Sequence, residues 1–158
     1  MKRTLALLTL AAFLGGCTVI TTPGGGTVVP PRSSTQQPPA YRLASSHWSD
    51  VAKIREEATM LNRQVANGQI TKVQAAQRLN QLRIKLVGRN VVDDDMYEIY
   101  LRSATRSQAN KISSAQSKQF VQDGLRSWQQ RWPHMTNKPA NPAFTNFLME
   151  AMGMRPLQ

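Results

Sequence analysis

From residue 48 onward, apolar side chains recur at alternating steps of three and four: Trp48, Val51, Ile54, Ala58, Leu61 and Val65. That spacing lines one face of a helix and leaves Lys53, Arg55, Glu56, Glu57 and Arg63 mainly to solvent. It predicts a helix opening near Ser46 or Ser49 and running to Ala66. Asn67-Gly68 then supplies two residues that tolerate the left-handed conformation of a helix end. Thr71 can cap a second helix with its hydroxyl. Val73, Ala76, Leu79, Leu86 and Val87 give that helix an apolar face, and Gly88 ends it. The connection is short enough to force the two helices antiparallel.

The pattern recurs 42 residues later, where the segment 110–119 aligns with 68–77. Asn110 falls on Gly68, Ile112 on Ile70, Ser113 on Thr71, and Gln116 and Gln119 on Gln74 and Gln77. Both segments supply a left-handed turn residue, then an apolar plug, then a cap. The offset suits a helix-pair repeat, and convergent hairpin chemistry accounts for it equally well. The second hairpin opens on Asp93-Asp94-Asp95, with Met96, Ile99, Tyr100 and Ser103 facing inward. Its partner helix starts at Ser113 or Ser114, carries Val121, Leu125, Trp128 and Trp132 on one stripe, and stops at Pro133. A short last helix follows, with Asn141 as cap, Pro142 in its first turn, Phe144, Phe147, Leu148 and Met152 on its apolar face, and Gly153 at its end. The fold class expected is all-α: two tandem antiparallel helical hairpins plus a short C-terminal helix, after a disordered linker.

Ahead of the domain the composition changes. Lys2 and Arg3 precede an apolar run from Thr4 to Phe13, about 10 residues where spanning a bilayer takes roughly 20. Leu14-Gly15-Gly16-Cys17 closes the run on the one cysteine of the chain. This resembles the type II signal peptide of bacterial lipoproteins, whose last four residues form the lipobox. The resemblance implies cleavage before Cys17, a diacylglyceryl thioether on its sulfur and an acyl chain on the new N-terminus. Residues 1–16 would then be the signal peptide, 17–45 a lipid-anchored tether and 46–158 the helical domain. The tether is rich in Pro, Gly, Ser and Thr, too polar to offset its ordering entropy, and about 28 residues of it reach some 30 Å on average. Thr18 follows the cysteine where retention in the inner membrane of enteric bacteria calls for aspartate. The resemblance therefore implies the inner leaflet of the outer membrane, facing the periplasm.

Charge changes the picture further. The chain carries 20 Lys and Arg against 9 Asp and Glu, a formal net charge of +11. Such a balance favours anionic neighbours: phospholipid headgroups, lipopolysaccharide phosphates, peptidoglycan carboxylates or an acidic protein. Nucleic acid, the usual partner of so basic a chain, is set aside on the compartment that the lipobox implies. On the second helix Arg78 and Lys85 fall within about 20° of one another, and Arg89 joins them if the helix continues. The plain reading of that stripe is a solvated face; the functional one is an anion- or partner-binding face. Arg83 projects into the apolar arc, and a buried arginine needs a carboxylate. Asp93, Asp94 and Glu98 are the nearest in sequence.

No catalytic residue and no metal ligand is assigned. The aspartate triplet lacks the alternating acids, central glycine and distal glutamate of a calcium loop, and reads as charge favourable to a helix N-terminus. His47 and His134 have no second ligand at useful spacing, and the glutamates fall on solvated faces rather than as a hydrolytic pair. Trp128 and Trp132 read first as core, with an exposed aromatic ledge as the alternative. Met149 and Met152, in the methionine-rich run to Met154, read first as a cap on the bundle and otherwise as an adaptable apolar groove. With Cys17 acylated and no cofactor beyond those chains, the expected function is a lipid-anchored, non-enzymatic accessory module of the envelope, similar to secretion pilotins in layout alone. It would bind a protein partner through the groove, or anionic lipid or polymer through the basic face.

Overall fold

The computed structural model describes residues 40–158; the lipobox, Cys17 and the tether up to residue 39 lie outside it. Five helices follow one another: α1 (His47–Ala66), α2 (Lys72–Val87), α3 (Val91–Gln108), α4 (Ser114–Arg131) and α5 (Ala143–Ala151), with a single 3-10 turn at Trp132–His134. No strand occurs among the described residues, and no described helix is long and apolar enough to cross a membrane. The all-α architecture expected from periodicity is the one observed. α1 pairs with α2 and α3 with α4, α2 packs on α3, and α5 lies across α1 and α3.

The two hairpin turns are built alike, bond for bond. Gln69 N–H donates to Gln64 O and Gly68 N–H to Val65 O; 42 residues on, Lys111 donates to Arg106 O and Asn110 to Ser107 O. This is the Schellman closure, with its 6→1 and 5→2 bonds. Gly68 (φ 71°) and Asn110 (φ 54°) occupy the left-handed position it requires. Each next helix then opens on a capping box, Thr71 with Gln74 and Ser113 with Gln116. The local alignment of the sequence thus corresponds to one repeated turn geometry.

α5 is where the sequence pattern understates the burial. All seven residues from Ala143 to Met149 are buried, so this nine-residue helix is a central post rather than a lid with one apolar face. Phe144 meets Tyr97, Tyr100 and Phe147 edge-on or tilted, at centroid distances of 6.4, 5.8 and 6.2 Å. The expected cap, Asn141, does not cap it. The Asn141 side chain turns instead to His47 and Asp50. The free N–H groups of Phe144 and Thr145 are taken by the Asp93 carboxylate, which arrives from α3 at 3.3 and 2.9 Å. A carboxylate at a helix N-terminus is favourable whichever chain segment brings it. Asp93 therefore serves a helix 50 residues away, while α3 is capped by Asn90.

The rest of the triplet divides its work. Asp94 stands 2.7 Å from Arg83, whose side chain is 1% exposed, so Arg83 is the tie between hairpins that its place in the apolar arc implied. The Arg83–Asp94 contact is one of charge rather than an aligned hydrogen bond, since Asp94 Oδ1 has no hydrogen-bond partner; Asn80 accepts from Arg83 Nε and Nη2. Asp95 accepts from Trp128 Nε1 at 2.8 Å and from Arg131. Removing either partner leaves the other alone, and a fully buried arginine left unpaired costs more than an aspartate that solvent still reaches. Asp94→Ala should lower stability by about 1–2 kcal/mol, with solvent at the carboxylate keeping the figure small. Arg83→Met should stay within ~1 kcal/mol of the parent. Urea titration of both variants checks the order.

Trp48 corrects the expected α1 seam. It is 44% exposed, and His47 takes the inward position beside Val51, Ile54, Ala58 and Leu61. The imidazole is held at both nitrogens: Nδ1 lies 2.7 Å from Asn141 Oδ1 and Nε2 lies 2.9 Å from Asn146 Nδ2. Asn141 commits its amide N–H to Asp50 and Asn146 shares its own with Leu157 O, which fixes both amides and places the ring proton on Nδ1. Burial would raise the Asp50 carboxyl, but hydrogen bonds from Ser46, Asn141 and Lys53 outweigh it and hold the group below its ordinary value. Upstream of α1, Tyr41 packs edge-on against Trp132 at 5.3 Å and donates to Pro139 O.

Candidate functional site

The residues singled out in the sequence do not converge. Trp128 and Trp132 are each 4% exposed and Met149 fully buried, so none of the three offers a surface to a partner. Their place is the core, where Trp128 Nε1 bonds Asp95 and Trp132 Nε1 donates to Gln158 O. Arg78 and Lys85 are exposed on α2, and Arg78 reaches Gln64 at 3.3 Å. Arg89 is exposed but leaves their stripe, because α2 ends at Val87 and Gly88 turns left-handed (φ 72°). Met152 alone of the methionine candidates opens on a cavity.

That cavity is a cleft of about 450 Å³ at the end of the bundle carrying the two hairpin turns. The up-and-down order explains its position: α1 and α3 end there while α2 and α4 begin. The inward seams of α2, α3 and α4 turn small or polar as they reach this end, while α1 brings Val65. On α3 the inward line passes from Met96 through Tyr100 to Ser103 and Ser107; on α4 it runs back from Val121 to Ser117, Lys118 and Ser114. On α2 it passes from Leu79 to Ala75 and Lys72, and α5 contributes Ala151 and Met152. Small side chains leave a hollow where leucines would have closed it.

Among the described residues the only charged groups of the cleft are two lysines, and its other polar groups are hydroxyls and the Asn62 amide. Lys72 Nζ donates to Ser107 Oγ at 2.8 Å, and Ser103 and Ser117 share a 2.7 Å hydroxyl contact. Lys118, Ser114 and the Tyr100 hydroxyl make no side-chain hydrogen bond among the described residues. Burial pushes the Tyr100 phenol above its ordinary value, which keeps it a donor. No carboxylate lines the cleft. Among the described residues no cluster of three or more His, Cys, Asp or Glu side chains suits a metal ion.

Charge follows the same axis. Residues 58–92 and 99–122 contain ten Lys and Arg and no acid. Arg63, Lys72, Arg106, Lys111 and Lys118 stand in or next to the two turns at the cleft end. Asp50 and the aspartate triplet stand at the opposite end, at the starts of α1 and α3. Sequence reasoning found the stripe on α2 but missed Lys72, Lys118 and the serines. The readable signal was the change of the α2, α3 and α4 inward stripes from apolar to small and polar near the shared turns. Compared with protein-family models, curated proteins and solved structures, the chain matches none.

Proposed function

We propose that this chain is a lipid-anchored, non-enzymatic accessory module of the bacterial envelope, held by Cys17 at the periplasmic face of the outer membrane, whose domain binds an anionic envelope component. The observation that carries the reading is the cationic end of the bundle, where Arg63, Lys72, Arg106, Lys111 and Lys118 gather around the hairpin turns and no carboxylate lines the cleft. Positive charge without interleaved acids attracts polyanionic surfaces and is costly to gather on a domain with no such neighbour. The protein-groove alternative has less behind it: Trp128, Trp132 and Met149 are buried, and the large exposed apolar residues stand apart, Trp48 and Met60 twelve positions apart on α1 and Val91 at the start of α3.

The test is co-sedimentation of residues 17–158 carrying Cys17→Ala with vesicles of phosphatidylglycerol, and separately of phosphatidylcholine. Attachment to the anionic vesicles alone is expected, and it should vanish at about 1 M salt, where the screening length is ~3 Å. Arg106→Glu with Lys111→Glu, at the second hairpin turn, should weaken it about tenfold. Equal attachment to both vesicles, or indifference to salt, would remove the electrostatic reading. One acidic or apolar protein captured from membranes in stoichiometric amount at high salt would replace it by the adaptor.

A further inference from the structure

We infer that the cleft among Lys72, Tyr100, Ser114, Lys118, Val121 and Met152 is a binding site for a single-chain anionic amphiphile: one acyl chain ending in a phosphate or carboxylate. The inference rests on the anionic-ligand reading of this end of the domain and names what enters it. Three features select the class. The hollow, about 450 Å³, lies within the roughly 300–1,000 Å³ of small-molecule sites. Val65, Ala75, Tyr100, Val121 and Met152 supply an apolar lining that inorganic phosphate or a polar polymer leaves unused. The free charged groups are both cationic, the Lys118 ammonium and the two remaining N–H groups of Lys72, and beside them stand the Ser114 and Tyr100 hydroxyls and the Asn62 amide, each able to donate.

A cation meets no carboxylate in this cleft. A neutral sugar could bond the hydroxyls and amide but would leave the charge of the two ammonium groups unmatched. An anionic head accepts from both lysines while its chain lies against the apolar lining, and Met152, flexible and polarizable, adapts to the chain. Both lysines are at the mouth and Val121 and Ala75 lie buried beneath, so head and tail have separate places.

Calorimetric titration of residues 17–158 carrying Cys17→Ala, with dodecyl phosphate below its micelle concentration, tests this. Saturable binding of one molecule per chain is expected. Dodecyl maltoside, with the same chain and a neutral head, and inorganic phosphate, with no chain, should each bind at least about tenfold more weakly. Lys72→Met with Lys118→Met should cut dodecyl phosphate binding about tenfold, as should Met152→Asp, which sets a carboxylate at the cleft. Equal binding of the maltoside, or dodecyl phosphate binding unchanged in both variants, would overturn the inference. If dodecyl phosphate fails to bind while salt-sensitive attachment to phosphatidylglycerol vesicles persists, the cleft assignment falls alone. If both fail, the anionic-ligand reading falls with it.

Discussion

Asp93→Ala is expected to lower the unfolding free energy by about 3–5 kcal/mol, the largest single effect in the domain. The carboxylate is fully buried and accepts from the Phe144 and Thr145 N–H groups, the Thr145 hydroxyl and the Asn90 amide. Its loss strips the N-terminus of the central helix of its cap and leaves those donors in a dry site, at about 1–3 kcal/mol each before relaxation. A fall in the urea midpoint with an unchanged slope measures it. Asp95→Ala, at a partly exposed carboxylate, should cost about 1 kcal/mol. A loss below that for Asp93→Ala would show that α5 starts without this cap.

The same residue gives a pH signature. Burial is the larger influence and pushes the Asp93 carboxyl above its ordinary value of 3.8, against the hydrogen bonds from Thr145, Asn90 and Phe144. The folded state therefore holds this proton more tightly than the unfolded chain. The contribution of the group is complete below 3.8 and is lost as pH rises through the folded value. Asp50, held low, runs the other way: its contribution is present above 3.8 and is lost as pH falls through its folded value. Asp93→Asn removes the first dependence only, so its deficit should be widest in acid and narrow toward neutrality. Melting curves across that range read the difference directly.

Asn146→Leu is expected to cost about 2–4 kcal/mol and to release the C-terminal residues. The Asn146 amide is fully buried, bonds His47 Nε2 at 2.9 Å and Leu157 O at 3.0 Å, and accepts from Leu157 N–H at 2.7 Å. Leucine has nearly the volume and none of the partners, so packing survives while three buried polar groups lose their match. Trp132 reports the release, because its indole N–H donates to Gln158 O. Faster hydrogen exchange at the Trp132 indole and the Leu157 amide is the expected result. Lost stability with both sites still protected would mean that packing of Leu157, not the Asn146 amide, holds the C-terminus.

The helices, their turns and their pairing are legible in the chain alone. Each depends on interactions within a few residues: three-four spacing of apolar side chains, Gly68 and Asn110 at left-handed positions, Thr71 and Ser113 as caps. Arg83 is legible for a related reason, since a charge inside an apolar arc demands a partner and Asp94 lies 11 residues on. The features that emerge only on packing join residues far apart in the chain. Asn141 left the cap to Asp93, because His47 and Asp50 offered its amide better partners and a carboxylate from α3 reached the start of α5. Trp48 yielded the inward position to His47 for the same network. The cleft was hidden too: serine and lysine on an inward stripe look like solvated positions until the ends of five helices surround them. Periodicity reports which way a side chain faces along its own helix, and only packing decides what it faces.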